Sequence, residues 1–233
     1  ITMMKKILTD KKINYIAHLS DLHIGSRADR YKEYNNVFDT FAENVKNFTH
    51  ANELLIVITG DTCHWKSKLA PEDIMCFDRF IAQLYPLPIL IIPGNHDTVL
   101  NNKNREDLIT PLVSRYRHVI YSKNTESFNI GGVEFIHISV YDNRSEEELF
   151  AEIEKSAKYT TELFNAANPQ QITAKDTFAL NTNQLLENKM RGYDNSNKAA
   201  LPILLYHGFA DGAKLGSHTV SGCKISKRII KVI

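Results

Sequence analysis

The stretch IIPGNHDTVL, residues 91–100, decides how this chain is read. An apolar run through Leu90, Ile91 and Ile92 stops at Pro93-Gly94, and Asn95, His96 and Asp97 follow without a break. A simple turn needs only Asn-Gly or Pro-Asp-Gly chemistry. An amide, an imidazole and a carboxylate at the end of a buried strand are instead groups that ligate metals and move protons.

The same pattern recurs on either side. INYIAHL (13–19) is a short run of β-formers, and Asp21-Leu22-His23 follows it. ELLIVITGD (53–61) is a second buried strand ending in Gly60-Asp61, with His64 three residues on. LPILLYHGF (201–209) is a later one, ending in His207-Gly208. Between the first three strands the apolar spacing is helical: Tyr34, Val37, Phe38, Phe41, Val45 and Phe48 in 29–49, then PEDIMCFDRFIAQL (71–84) with Pro71 in its first turn. Continuous apolar strands alternating with helices predict an α/β fold whose parallel sheet is covered on both faces. In such sheets ligands sit outside the carboxyl ends of the strands, where these polar residues fall. Four strand ends therefore converge on one site.

Further on, SFNIGGVEFIHISVY (127–141) predicts a hairpin turning at Gly131-Gly132, and Ser145 with Glu148 predicts a capping box opening a helix. A helix is expected near 176–190, a loop at 192–200, and a last strand at ISKRIIKVI (225–233).

The bulk numbers exclude several classes. The 233 residues are 43% hydrophobic, enough for a sizeable core, and the net charge of +1 advertises no global nucleic-acid field. Three cysteines without C-x-x-C spacing argue against a secreted disulfide scaffold and fit a reducing, intracellular compartment, cytoplasm or nucleus. No signal peptide is evident at the start, and no stretch approaches 18 consecutive apolar residues, so no membrane partner is expected.

Carboxylate, amide and imidazole ligands without thiolate suit Mn²⁺, Fe²⁺ or Zn²⁺. A carboxylate can bridge two ions, and Asp61 is the natural candidate; two ions about 3.5–4 Å apart can activate water and clamp a phosphate.

The blocks DLH, GD, GNHD and HG, in this order, resemble the calcineurin-like metallophosphoesterases. More narrowly, GDTCHW (60–65) and YHGFADGAKLGS (206–217) are similar to segments of the SbcD-type DNA double-strand-break repair nucleases, over roughly residues 13–222. The resemblance implies a four-layer α/β/β/α sandwich of two mixed sheets. It implies that Asp21 and His23 hold a first metal, that Asp61 bridges, and that Asn95 and His207 hold a second. His96 would be the catalytic histidine, Asp97 would orient it or its loop, and His64 would place the substrate phosphate. The implied cofactors are two divalent ions, Mn²⁺ foremost. The implied reaction is hydrolysis of DNA phosphodiesters by exonuclease and single-strand endonuclease action. The implied partners are DNA, an SMC-like ATPase of the SbcC type and a second copy in a homodimer.

One departure stands out. The family closes its site with a further strand and G-H-x-H, and no such motif follows His207; the later histidine is His218. The expectation is a single nuclease domain over 1–233, truncated at its C-terminus, without capping or ATPase-binding regions. Two other readings stay open: a phosphoesterase acting on phosphoprotein or a small phosphodiester, and an inactive remnant or interaction module. Several polar residues carry blander expectations. His137 reads as a core or sheet-face histidine, the stripe Tyr34, Phe38, Phe41 and Phe48 as core, and Trp65 as a support for its loop or a surface for a base.

Overall fold

The computed structural model describes residues 5–7, 11–100, 102, 105–145, 147–149, 151, 203–208, 214–215 and 218–219. The expected helix near 176–190, the loop at 192–200 and the strand at 225–233 lie outside the described residues. In chain order the elements are β1 (Lys5–Ile7), β2 (Tyr15–Leu19), α1 (Tyr31–Lys46), β3 (Leu54–Thr59), α2 (Pro71–Gln83) and β4 (Ile89–Ile92). They continue with α3 (Ile109–Val113), β5 (Val119–Tyr121), β6 (Glu126–Ile130), β7 (Val133–Ile138), β8 (Ile203–Tyr206), β9 (Lys214–Leu215) and β10 (His218–Thr219). Among the described residues the fold is α/β with two four-stranded sheets, ordered β2-β3-β4-β5 and β1-β6-β7-β8. The first is parallel throughout; the second is mixed, with β1 parallel and β7 antiparallel to β6.

The chain separates into two compact units, residues 1–142 with 205–208, and residues 143–204 with 209–233. The first holds both sheets' central strands. Alternate residues of β3 and β4 show why these strands are apolar throughout. Leu54, Ile56, Ile58, Ile89 and Ile91 pack with α1 and α2. Leu55, Val57, Leu90 and Ile92 point the other way and are equally buried. Each such side chain contributes about 1.5–3 kcal/mol by burial, so a strand buried on both faces cannot alternate polar and apolar residues.

The helices cover one face through aromatic contacts. Phe38 of α1 stacks on Phe80 of α2 with ring centroids 4.2 Å apart, and Ala42, Val45, Cys76, Phe77 and Ile81 complete the seam. The expected apolar stripe is narrower than its spacing suggested. Val37 is 64% exposed, and Phe48 lies at the surface against Tyr15, 5.1 Å between centroids. Pro71 opens α2, and the Asp73 carboxylate accepts the Ala70 N–H at 2.8 Å, satisfying a donor that the helix leaves unpaired.

The β6–β7 hairpin turns at Gly131 and Gly132, whose φ angles of 57° and 89° are those a two-residue primed turn demands. His137 lies within β7, fully buried, with Nδ1 2.8 Å from Ser122 Oγ, whose hydroxyl donates to Glu126 and so accepts from the imidazole. The strands β1 and β5 and the short α3 have no counterpart among the expected elements. Three to five residues are too few to establish a hydrophobic period.

In the second unit, Ser145 N–H donates to Glu148 Oε2 at 2.8 Å and Glu148 N–H donates to Ser145 Oγ at 3.3 Å, the expected capping box. The strands β9 and β10 pair antiparallel. Among the described residues no helix is long and apolar enough to cross a membrane.

Burial depresses the pKa of His137 from 6.5 to about 4, against the pull of the Asn124 backbone and the Asp142 charge. The unfolded chain therefore takes up a proton near pH 6.5 that the folded chain refuses until about pH 4. The contribution is fully present above pH 6.5 and is lost as pH falls toward 4, up to about 3 kcal/mol. Urea unfolding at pH 5 and pH 7.5 should show a shallower pH dependence in His137→Gln than in the parent.

Candidate active site

The candidate residues stand just past β2, β3, β4 and β8, and all belong to the first compact unit. The segments after β2 and β3 continue side by side beyond their strands. Asp21 N–H donates to Gly60 O (3.1 Å), His23 N–H to Asp61 O (2.9 Å), Ile24 N–H to Thr62 O (3.0 Å) and His64 N–H to Ile24 O (2.9 Å). Asp21, His23 and Asp61 have φ of 57°, 45° and 52°; among the described residues they are the non-glycine positions at positive φ. Each costs about 1–2 kcal/mol relative to ordinary backbone, and strain of this kind gathers at functional sites.

Asp61 is the centre of the arrangement. Its Oδ2 lies 3.7 Å from His23 Nε2, which is 3.8 Å from Asp21 Oδ1. Its Oδ1 lies 3.3 Å from His207 Nε2, which is 3.2 Å from Asn95 Oδ1. The two carboxylate oxygens thus face two different groups of donors. The main-chain N–H of His96 donates to Oδ1 at 2.8 Å. Burial works to raise the Asp61 pKa, but His207 and the His96 N–H outweigh it and hold the group below the usual carboxylate range.

The imidazoles are oriented by main-chain carbonyls, which can only accept. His207 Nδ1 donates to Thr59 O at 2.7 Å, so Nε2 faces Asp61. Burial pulls the His207 pKa down, yet Asp61 and Thr59 O carry it up to about 9. His96 Nδ1 donates to His64 O at 2.7 Å, which leaves Nε2 as the nitrogen free to take or give a proton. The rings of His64 and His96 stack at 5.2 Å, and His23 stands edge-on to both. Partial burial, then the neighbouring His23 and His96, lower the pKa of His64.

Asp97 has a different place. It is fully buried and accepts N–H groups from Thr62 (3.2 Å), Cys63 (2.9 Å) and Gly94 (2.9 Å). It joins the loops after β3 and β4 through their backbones, and so holds the loop that carries His96. Burial raises its pKa to about 6 despite these three donors.

The donor set fits divalent metal. One ligand atom each from Asp21, Asp61 and His207 lies within 4.8 Å of the others, as do those of His23, His64 and His96. Oxygen and nitrogen donors about 2.0–2.2 Å from a shared cation can stand up to about 4 Å apart, and the 3.2–3.8 Å separations here are of that kind. Among the described residues no thiolate joins them: Cys63 is fully buried, and burial raises its thiol pKa far above the usual range. Reasoning from side chains overlooks Thr59, which orients His207 by its carbonyl, and Ser20, which donates to Asp21. A carbonyl leaves no signature in residue identity.

The chain belongs to the calcineurin-like phosphoesterase family, whose pattern it matches over residues 15–212. The family carries metal-dependent phosphoester hydrolysis. The chain is also similar to the uncharacterized protein R555 of Acanthamoeba polyphaga mimivirus, 31% identical over 201 residues. That match covers 81% of this chain and 15% of the relative, so the chain spans a small part of its length.

Gly94 shows how tightly the site is built. A Cβ there would stand 2.2 Å from both Asp61 N and Oδ1. Gly94→Ala should therefore displace Asp61, lowering stability by about 1–3 kcal/mol and weakening divalent-metal binding in calorimetry. Gly132→Ala meets no atom within 4 Å; its φ of 89° should cost the hairpin some stability, but divalent-metal binding should remain intact.

Proposed function

We propose that this chain is a DNA nuclease of the SbcD type, hydrolysing phosphodiester bonds by exonuclease and single-strand endonuclease action in repair or recombination. The observation that carries the reading is His64. It follows Asp61 by three residues, and its Nδ1 comes within 3.5 Å of His23 Nδ1 while its ring stacks on His96. That adds a third imidazole beside the ligand set, a donor for a phosphodiester oxygen.

Asp21, His23 and Asp61 would hold one divalent ion, and Asp61, Asn95 and His207 a second, with Mn²⁺ the expected metal. The chemistry such ions contribute is a water nucleophile active at neutral pH and charge that offsets the phosphate. His64 donates a hydrogen bond to the phosphate. His96, its Nδ1 held by a carbonyl, delivers a proton from Nε2 to the leaving oxygen. Asp97 keeps both loops in register. DNA, an SMC-like ATPase of the SbcC type and a second copy of the chain are the partners in this reading, and its setting is intracellular.

The test is Mn²⁺-dependent cleavage of end-labelled linear DNA. Asp61→Asn should abolish it by removing the charge that faces both donor groups. His96→Asn should slow turnover by about 10²–10⁴-fold while Mn²⁺ binding persists. Full activity in Asp61→Asn would overturn the assignment. Hydrolysis of model phosphoesters without DNA cleavage would favour a phosphatase or a small-phosphodiester enzyme, and a folded, metal-loaded chain inactive on all of them would favour an interaction module.

A further inference from the structure

Beside the site stands an aromatic side chain that the proposed chemistry does not use. Trp65 follows His64 directly and is 52% exposed. Its Nε1 donates to Gly25 O at 3.1 Å, and its ring meets the His64 ring edge-on, 82° between planes and 4.8 Å between centroids. The indole's polar atom is thus already satisfied by protein, and nothing about the ring requires water. A half-exposed tryptophan forgoes much of the burial that makes this residue valuable in a core. The ring is nevertheless fixed, tethered at one end and braced on one edge. It is two ring-to-ring steps from His96, through His64. Lys66 and Lys68, both exposed, follow it in the chain.

A fixed, open aromatic face beside a phosphate-cleaving centre, followed by cations, is what a nucleobase next to a bound phosphodiester needs. Bases stack on such faces irrespective of sequence, while lysines track the backbone. A base inside a duplex is already covered on both faces, so a single protein ring can take only an unpaired or terminal one. We infer that Trp65 is a stacking platform for an unpaired base adjacent to the phosphate being cut, and that it gives the site a preference for single-stranded or frayed DNA. This rests on the nuclease reading and adds a specificity-determining residue to it.

Trp65 is the single tryptophan of the chain, so intrinsic fluorescence reports this position alone. The first probe is a twelve-nucleotide oligo(dT), titrated with Ca²⁺ in place of Mn²⁺ to hold off cleavage. The second is a strand of the same length and phosphate count in which every base is replaced by an abasic tetrahydrofuran. The oligo(dT) should quench Trp65 and the abasic strand should not. In Mn²⁺, the parent should cut oligo(dT) with a kcat/KM about tenfold or more above that for the abasic strand. In Trp65→Ala that preference should collapse, and Trp65→Phe should restore part of it. Equal loss on both strands in Trp65→Ala would make the ring a brace for the loop and overturn the inference. An undiminished preference, or equal quenching by both strands, would also overturn it. In each of these cases the nuclease reading survives. A parent that cuts neither strand while hydrolysing p-nitrophenyl phosphate would remove the nuclease reading, and the platform with it.

Discussion

The structure around the site depends on one carboxylate, that of Asp61, held where β3 ends. It is buried, its Oδ1 is anchored by the main-chain N–H of His96, and its two oxygens face separate sets of donors. A buried carboxylate is costly unless it is hydrogen-bonded and paired. Here the pairing comes from segments after three other strands: His23 after β2, His96 after β4 and His207 after β8. The charge that would bind metal is also what draws those loops together.

The fold makes that convergence possible. In the parallel sheet the carboxyl ends of β2, β3 and β4 fall at the same edge, so segments distant in the chain become neighbours; His207 comes from the end of β8, a strand of the second, mixed sheet and not of the parallel sheet the sequence suggested. Gly60 and Gly94 let the ends of β3 and β4 approach without side chains between them; a Cβ on Gly60 would stand 2.5 Å from His207 Nδ1 and 2.7 Å from Gly94 Cα. Asp97 then ties the two loops together through three buried N–H groups. The positive φ at Asp21, His23 and Asp61 is held by this surrounding network, because isolated peptide would relax it.

Much of the fold was legible in the chain. The strands β2, β3 and β4 and the helices α1 and α2 declare themselves by apolar runs and helical spacing, and the hairpin by its two glycines. What periodicity could not reveal was which side of α1 would be wide and which narrow. Val37 and Phe48 fit the helical spacing, yet Val37 is exposed and Phe48 packs on Tyr15 at the surface. Burial depends on what stands opposite, and spacing carries no such information. The three-residue strands β1 and β5 are set by their neighbours in the sheet, since so short a segment has no pattern of its own.

The site divides in the same way. Residue types at strand ends pointed to Asp21, His23, Asp61, His64, Asn95, His96, Asp97 and His207, because carboxylate, amide and imidazole groups recurring after several buried strands are the types that ligate metals and move protons. Tertiary structure alone decided how they meet. It turned the two oxygens of Asp61 to different donors, gave His207 and His96 their orientation through the carbonyls of Thr59 and His64, and put Asp97 behind the loops. Those decisions are made by backbone groups, which every residue carries alike. A sequence can say which side chains are available for chemistry; only the folded chain determines which carbonyl or N–H stands beside each one.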